Sequence, residues 1–302
     1  MVGSGRASAR MPNFFVIGAN RAGTTSLHEY LGQHPEVYMS PVKEPNYFAP
    51  KSPEERALWP DQSTPIATLE AYQELFAGVA GETAIGESST VYLTSAAAPE
   101  LIRAAVPDAR LVAVLRNPAD RAFSDYCLHR SWGTEDLSFA DAVAAELDHE
   151  GPVGGRMRGY VLTGFYGRSL TRYLEHFERD RLRVYLYEDL VGDPAALLHD
   201  VFGFLGLDPS FVPTTSARRN ASRFEPKHRA IDRVARAGAV RSVARRLLPE
   251  RTWVQGREYL RRKNSVPPQY PADIRRRLVD LYRDDIELTQ GIVGRDLTAW
   301  SE

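Results

Sequence analysis

The chain has 302 residues, of which 43% are hydrophobic, and its formal net charge is −1. This length and composition are typical of a soluble globular protein with one large domain or two small ones. No apolar run approaches the about 20 residues that a membrane-spanning helix needs, so no transmembrane segment is predicted.

The near-neutral total hides an uneven distribution of charge. Residues 217–263 contain fifteen Lys and Arg but only four Asp and Glu. This basic stretch is either a set of solvated helix faces or an electropositive wall beside an anionic substrate. It has no recognisable nucleic-acid-binding motif and few aromatic residues, so a nucleic-acid partner is not predicted. Cys127 is the only cysteine, which fits a reducing, cytoplasmic location.

In chain order, residues 1–12 lack the apolar segment of a secretion signal, so a disordered leader is expected before a single domain, 13–302. Five short apolar runs predict strands: Phe14–Ile17, Val37–Met39, Ala84–Glu87, Leu111–Leu115 and Arg183–Tyr187. Helical patterns alternate with them and then dominate: Thr25–Gly32, Leu69–Phe76, Pro99–Ala105, Asp120–Ser131, Phe139–Glu150, Gly167–Phe177, Ala195–Gly206, Lys227–Ala237, Arg241–Leu248 and Ala272–Gly291. This alternation predicts an α/β, P-loop-like three-layer fold, with a central parallel sheet flanked by helices and a mostly helical C-terminal part.

The first strand runs into a glycine-bounded turn and then a helix. Gly18 and Gly23 give the pattern G-x-x-x-x-G, in which backbone N–H groups and the helix N-terminus can surround a phosphate. The Lys that normally follows the second glycine of an ATP-hydrolysing loop is replaced by Thr24, and the basic residue, Arg21, lies inside the loop. The loop therefore favours a phosphorylated nucleotide without the usual ATP hydrolysis.

Ligands of a parallel sheet bind at the carboxyl ends of its strands. That rule brings four segments of the chain into one predicted site: Gly18–Ser26, Ser40–Pro45, Glu87–Ser89 and Arg116–Pro118. In the last of these, a guanidinium stands where a buried strand ends, and Ser124 follows two helical turns later. Arg116 and Ser124 can form a second anion site. The alternative is a structural salt bridge from Arg116 to Asp120 or Asp125.

The segments G-A-N-R-A-G-T-T-S-L and L-R-N-P-A-D-R-A-F-S-D-Y together resemble sulfotransferases that use 3′-phosphoadenosine 5′-phosphosulfate (PAPS). The resemblance implies that the first segment holds the 5′-phosphosulfate through Arg21, Ala22, Gly23, Thr24, Thr25 and Ser26. It also implies that Arg116 and Ser124 hold the 3′-phosphate. The seven His and one Cys show no spacing typical of metal ligands, so no metal is expected.

The likeness extends to carbohydrate sulfotransferases of the heparan type. Lys43–Phe48 is similar to their Glu-x-x-aromatic-Phe segment, which implies that Glu44 is the general base. From the residues alone, the favoured interpretation of Glu44 is a solvated loop carboxylate paired with Lys43. Gly86–Tyr92 matches the family's third-strand segment, and Ile286–Trp300 resembles its closing helix and tail.

Three positions depart from the family pattern. Many relatives have Lys where this chain has Arg21, which cannot readily donate a proton and is expected to act by electrostatic stabilisation. Heparan-type enzymes have Lys at the position of Ser88, which argues against a heparan-like acceptor. Their late basic nucleotide loop is replaced by Asn264–Gln269, so Lys263 or the basic stretch is expected to support the 3′-phosphate.

The expected acceptor is a hydroxyl of a sugar, a glycolipid or a small natural product, with an amine still open. Two alternatives stand beside this interpretation. A nucleotide-kinase-like phosphoryl transferase would need acidic Mg²⁺ ligands, for which Glu87 is the only partial candidate. A non-catalytic nucleotide-binding protein would not need Glu44, Arg116 and Ser124 together. A homodimer is possible.

Some polar residues are assigned structural roles at this point. His28 and His34 are interpreted as packing residues, and Asp141 and Glu146 as the solvated face of their helix. The aromatic residues between Tyr160 and Tyr173 are expected in the core.

Overall fold

Five parallel strands form the central sheet, in the spatial order β2-β3-β1-β4-β5. The computed structural model describes residues 10–49, 66–148, 159–215, 225–226, 265–266 and 269–302. The strands are β1 (Phe14–Gly18), β2 (Val37–Met39), β3 (Ala84–Ser88), β4 (Arg110–Leu115) and β5 (Leu182–Leu186). Every predicted strand is confirmed, and no strand end moves by more than one residue.

Nine α-helices of the described chain flank this sheet or follow it. They are α1 (Thr24–Leu31), α2 (Leu69–Glu74), α3 (Ala98–Ala105), α4 (Pro118–Trp132), α5 (Phe139–Leu147), α6 (Tyr166–Leu174), α7 (Tyr187–Gly192), α8 (Pro194–Leu205) and α9 (Ala272–Val293). The predicted parallel sheet with flanking helices and a helical C-terminal part is confirmed. The helices predicted over 227–237 and 241–248 lie outside the described residues, as do residues 1–9 of the expected leader.

Strand β1 lies at the centre of the sheet and is buried along its whole length. It pairs with β3 on one side and β4 on the other, so its apolar side chains pack on both faces. Gly86 of β3 lies against Phe14, and a Cβ at Gly86 would be 2.1 Å from the ring. The phenylalanine ring therefore fills the space that a larger residue in β3 would need.

Strand β4 passes directly into α4 through a capped turn. Asn117 accepts hydrogen bonds from the N–H groups of Ala119 (3.0 Å) and Asp120 (3.3 Å), and Pro118 occupies the first helical position. The Asn117 amide also donates to the Trp300 carbonyl at 3.2 Å. The C-terminal segment is thus anchored at the carboxyl end of β4, beside the predicted site.

The long helix α9 packs against α6 at a specific polar contact. Asp285 accepts hydrogen bonds from the backbone N–H groups of Gly167 (2.8 Å) and Arg168 (3.0 Å), in the first turn of α6. A carboxylate there satisfies N–H groups that have no partner within their helix and complements the helix dipole. Tyr160, Tyr166 and Tyr173 are buried, as predicted for the aromatic core.

Glu146 corrects one prediction. It is 5% exposed, not on a solvated face, and its carboxylate accepts from the backbone N–H groups of Val161 (3.0 Å) and Leu162 (2.8 Å). Helical periodicity placed this side chain outward because the loop that covers it comes later in the sequence. Within the residues that the structure describes, no helix combines the length and apolar character needed to cross a membrane.

Candidate active site

The turn between β1 and α1 is the glycine loop that the sequence predicts to surround a phosphate. Gly23 precedes α1 with φ of 90°, a left-handed conformation that glycine adopts without steric cost. Arg21 has φ of 65°, which is uncommon for a residue with a side chain. Such conformations persist where the surroundings hold the backbone and occur often at functional sites.

We expect Gly23→Ala to lower the free energy of unfolding by at least about 1–2 kcal/mol, because a side chain disfavours the left-handed region. The new Cβ would also lie 2.6 Å from Leu190 Cδ2. Chemical denaturation measures the change. Gly203→Ala is the control, since its site within α8 is open; it is expected to stabilise by about 0.5–1 kcal/mol. Equal effects of the two substitutions would contradict a conformational requirement at Gly23.

An open cleft of about 520 Å³ lies over this loop. Its lining residues come from five segments of the chain: Asn20, Arg21, Gly23, Thr24, Thr25, Ser26, Tyr30, Lys43, Glu44, Arg116, Ser124, Tyr187, Leu190, Val191, Pro194 and Thr215. The cleft thus brings together the predicted residues of the glycine loop, Glu44 and the Arg116–Ser124 pair. Ala22, within the glycine loop, is buried and does not line the cleft; its N–H donates to the Ala19 carbonyl at 3.2 Å. Lys263 lies outside the described residues.

Arg21 and Arg116 connect the two predicted anion sites. Arg21 Nε donates to Ser124 Oγ at 3.3 Å, and Arg116 Nη1 donates to the Arg21 carbonyl at 3.3 Å. The Arg116 guanidinium, in a residue only 8% exposed, stacks 4.8 Å from the centre of the Tyr187 ring. These contacts orient a guanidinium fork and a hydroxyl at one end of the cleft.

Asp120 and Asp125 were the predicted partners of Arg116 in a structural salt bridge, and each forms an ion pair with another arginine. Asp125 forms a buried ion pair with Arg121, at 3.6 Å, and Asp120 lies 3.5 Å from Arg275. Asp125 also accepts a hydrogen bond from the Asn20 amide at 3.0 Å. This last contact ties α4 to the glycine loop and helps to fix its shape.

Glu44 follows β2 and reaches the same cleft from the opposite side. Its backbone is left-handed, with φ of 61°. The carboxylate accepts hydrogen bonds from the Thr90 N–H (2.8 Å) and Thr90 Oγ1 (3.2 Å), and it contacts the Lys43 ammonium. The side chain is 29% exposed. Glu44 is therefore paired with Lys43, as expected for a solvated loop carboxylate. It also lines the cleft, as a general base must.

With this geometry established, comparison with known proteins identifies the family. A model of the sulfotransferase family matches residues 12–211. The chain belongs to the sulfotransferase family. A crystal structure of a sulfotransferase from Alicyclobacillus acidocaldarius is similar, with 30% sequence identity and a TM-score of 0.71, covering 97% of this chain and all of that one.

The curated relatives are larger proteins. Human bifunctional heparan sulfate N-deacetylase/N-sulfotransferase 2 is 27% identical over 217 residues, which are 69% of this chain and 23% of that protein. Mouse bifunctional heparan sulfate N-deacetylase/N-sulfotransferase 1 is 26% identical over 299 residues, 96% of this chain and 31% of that protein. This sulfotransferase chain therefore spans less than a third of the length of these relatives.

Glu87, the candidate Mg²⁺ ligand of the kinase-like alternative, does not line the cleft of this sulfotransferase. It is fully buried, and its carboxylate accepts hydrogen bonds from three hydroxyl groups, those of Tyr72, Tyr92 and Ser89. Those donors take three of the about four acceptor sites of the carboxylate, and its burial keeps it away from the cleft. No cluster of three or more His, Cys, Asp or Glu residues suited to a metal occurs in the described parts of the chain.

His28 lies behind the glycine loop in α1 and carries no charge at neutral pH. Burial, followed by the nearby Lys43 ammonium, lowers the pKa of His28 to about 4. Its Nδ1 lies 2.9 Å from Ser88 Oγ. Among the described residues that line the cleft, the positive charges are those of Arg21, Lys43 and Arg116.

The far wall of the cleft comes from a region that the sequence analysis did not assign to the site. Tyr187, Leu190 and Val191 belong to α7, and Pro194 begins α8. Tyr187 was predicted as the last residue of a strand, but β5 ends at Leu186 and a helix begins at Tyr187. The rule that sites form at the carboxyl ends of strands, applied to the fifth strand as well, would have found this wall.

Proposed function

We propose that this protein transfers a sulfuryl group from PAPS to an acceptor hydroxyl. The single observation that carries the proposal is the pairing of two anion-binding groups in one cleft. The glycine loop and first turn of α1 suit the 5′-phosphosulfate, and Arg116 with Ser124 suits a phosphate at the 3′ position. A donor with phosphate at both ends of its ribose fits this arrangement.

In the proposed reaction, the acceptor oxygen attacks sulfur while Glu44 accepts its proton. A new S–O bond forms to the acceptor as the S–O bond to the 5′-phosphate breaks, and 3′-phosphoadenosine 5′-phosphate (PAP) leaves. Arg21 and the loop N–H groups stabilise the negative charge that gathers on the leaving phosphate. Arg21 keeps its proton throughout, because a guanidinium is too weak an acid to donate one at neutral pH.

We infer a carbohydrate acceptor as the first class to test. The relatives named above carry heparan sulfate N-sulfotransferase in their names, so glucosamine-containing oligosaccharides are suitable probes. In this chain Ser88 stands where heparan-type enzymes have Lys, and its hydroxyl is engaged with His28. That substitution favours a less acidic acceptor than heparan sulfate, such as a neutral sugar or a glycolipid.

The two alternatives account for less of the site. A kinase-like enzyme would need carboxylates available for Mg²⁺, and the carboxylate of Glu87 is already occupied by three hydroxyl groups. A non-catalytic nucleotide-binding protein would have no use for a left-handed Glu44 directed into the cleft. Retention of Glu44, Arg116 and Ser124 around one cleft supports an enzyme.

Calorimetric titration without Mg²⁺ tests the donor assignment. We expect PAP to bind at least about tenfold more tightly than ADP, because a charged hydrogen bond to the 3′-phosphate contributes about 1.5–3 kcal/mol. ADP carries both phosphates on the 5′ side and cannot reach both anion sites. Equal affinities, or no binding of PAP, would count against the sulfotransferase assignment and favour the alternatives.

A further inference from the structure

A carboxylate lies fully buried at the end of β3 and takes no part in the proposed reaction. Glu87 Oε1 accepts hydrogen bonds from Tyr92 OH (2.7 Å) and Tyr72 OH (3.0 Å), and Oε2 accepts one from Ser89 Oγ (2.7 Å). Burial beside Glu87 raises the pKa of both tyrosines well above their ordinary value, so they remain proton donors. The ionised carboxylate therefore sets the direction of three hydroxyl groups.

Two of these hydroxyls also hold the loop that carries Glu44. Ser89 Oγ accepts from the Asn46 N–H at 3.0 Å, and Tyr92 OH accepts from the Phe48 N–H at 3.2 Å. Each hydroxyl can accept from the loop only while its own hydrogen points elsewhere, and the Glu87 carboxylate is where it points. The Glu87 carboxylate thus orients the Ser89 and Tyr92 hydroxyl groups, and these two hydroxyl relays hold the loop backbone.

The Glu44 loop needs such support because its backbone is strained. Glu44 and Asn46 have φ of 61° and 57°, in the left-handed region that residues with side chains rarely adopt. The segment that follows Glu87 supplies the remaining contacts: Ser88 O accepts from the Glu44 N–H at 2.9 Å, and Thr90 donates to the Glu44 carboxylate. The end of β3 therefore determines both the backbone and the carboxylate position of Glu44.

We propose that Glu87 is a positioning residue for Glu44, which holds the proton-accepting carboxylate in place through the Ser89 and Tyr92 hydroxyls. This inference rests on the proposed function. Glu87 touches no substrate; its effect is to keep the two left-handed residues in the conformation that aims Glu44 into the cleft. A 1 Å displacement of a reacting group can cost about 10²-fold in rate.

The ionisation state of Glu87 gives the proposal a pH signature. Four titratable groups surround the Glu87 carboxyl. Tyr72 approaches it from α2, Tyr92 from the turn at Thr90–Leu93, Tyr173 from α6, and Glu44 from its loop. Burial above all, and further the negative charge of Glu44, raises the pKa of Glu87 to about 7, although its three hydrogen bonds oppose the rise. Once protonated, the carboxyl becomes a donor, and the hydroxyl that accepts its proton must turn its own hydrogen away; at Ser89 or Tyr92 the hydroxyl then has to accept from both the carboxyl and the loop N–H.

Activity and stability should then respond to pH in opposite directions. The pKa of Glu87 in the folded protein lies above its ordinary value of 4.5. Its contribution to stability is therefore complete below that ordinary value and is lost as pH rises toward about 7. The ordered relay, and with it kcat, should increase over the upper part of the same interval. A purely structural carboxylate would not move the two quantities in opposite directions.

The decisive comparison is Tyr92→Phe against Tyr72→Phe. Each substitution removes one phenol hydrogen bond to the same oxygen of Glu87, but only Tyr92 also receives a loop N–H. We expect Tyr92→Phe to speed amide hydrogen exchange at Phe48 by up to about tenfold. We expect it to lower kcat about 10- to 100-fold, measured as PAP release from PAPS. Tyr72→Phe should leave both quantities within about twofold, and PAP affinity should be unchanged in both variants.

Glu87→Gln provides the second test, because an amide nitrogen must donate to one of the hydroxyls that now donate to the carboxylate. It should lower kcat with PAP affinity preserved and remove the rise of kcat near pH 7. Equal effects of the two tyrosine substitutions, or normal kcat in Tyr92→Phe despite faster exchange, would overturn the positioning role. A wild-type protein that neither binds PAP nor releases it from PAPS would instead overturn the proposed function.

Discussion

Replacing Glu44 with Gln is expected to lower kcat by about 10²–10⁴-fold, the usual contribution of a positioned general base. The amide keeps the size of the side chain and can still accept from Thr90, but it cannot take a proton from the acceptor. PAP should bind as well as to the wild type or more tightly, because the Lys43 ammonium loses its carboxylate partner and adds positive charge to the cleft. Rates of PAP release from PAPS, with water or a glucosamine oligosaccharide as acceptor, measure the effect.

Glu29→Gln is the matched control for this experiment. Glu29 lies in α1, and its carboxylate is close enough to influence the pKa of His28, but it does not line the cleft. Its substitution removes the same charge near the site without removing a base, so kcat should remain within about threefold. A comparable loss in both variants would mean that the cleft needs negative charge, not a proton acceptor. A loss of PAP affinity in Glu44→Gln would assign Glu44 to donor binding.

The sheet could be predicted from the sequence because its strands are buried on both faces. Phe14–Ile17 and Leu111–Leu115 are continuous apolar runs, and each ends at a residue that cannot continue a buried strand comfortably, Gly18 or Arg116. Once the strands are known, the binding site follows from a rule of topology. The prediction that Glu44, the glycine loop and Arg116 meet in one place needed no knowledge of side-chain packing.

The parts that sequence reasoning missed depend on contacts between distant segments. Glu146 is buried by a loop that lies 15 or more residues later. The relay from Glu87 to the Glu44 loop joins Asn46 to Ser89 and Phe48 to Tyr92, across 43 and 44 residues. Local periodicity carries no information about which hydroxyl will receive which N–H group. Such pairings follow from the register of β2 against β3, which places Met39 beside Gly86.

The second large effect is expected at Arg116, the proposed partner of the 3′-phosphate. Its replacement by Ala should weaken PAP binding by about 2–5 kcal/mol, at least about 30-fold, because a nearly buried positive charge is lost. Affinity for 5′-AMP, which has no 3′-phosphate, should stay within about twofold. Titrating both nucleotides into both proteins therefore isolates the 3′ site in a double comparison.

Two further variants separate the parts of the Arg116 interaction. Arg116→Lys keeps the charge but loses the planar fork, so it should recover only part of the PAP affinity. Tyr187→Phe keeps the aromatic face on which the guanidinium stacks and should bind PAP normally. The informative contrary result is a parallel loss of AMP affinity in Arg116→Ala. Because Arg116 also donates to the Arg21 carbonyl, that outcome would show that its main task is to shape the glycine loop, and the 3′-phosphate would need another anchor.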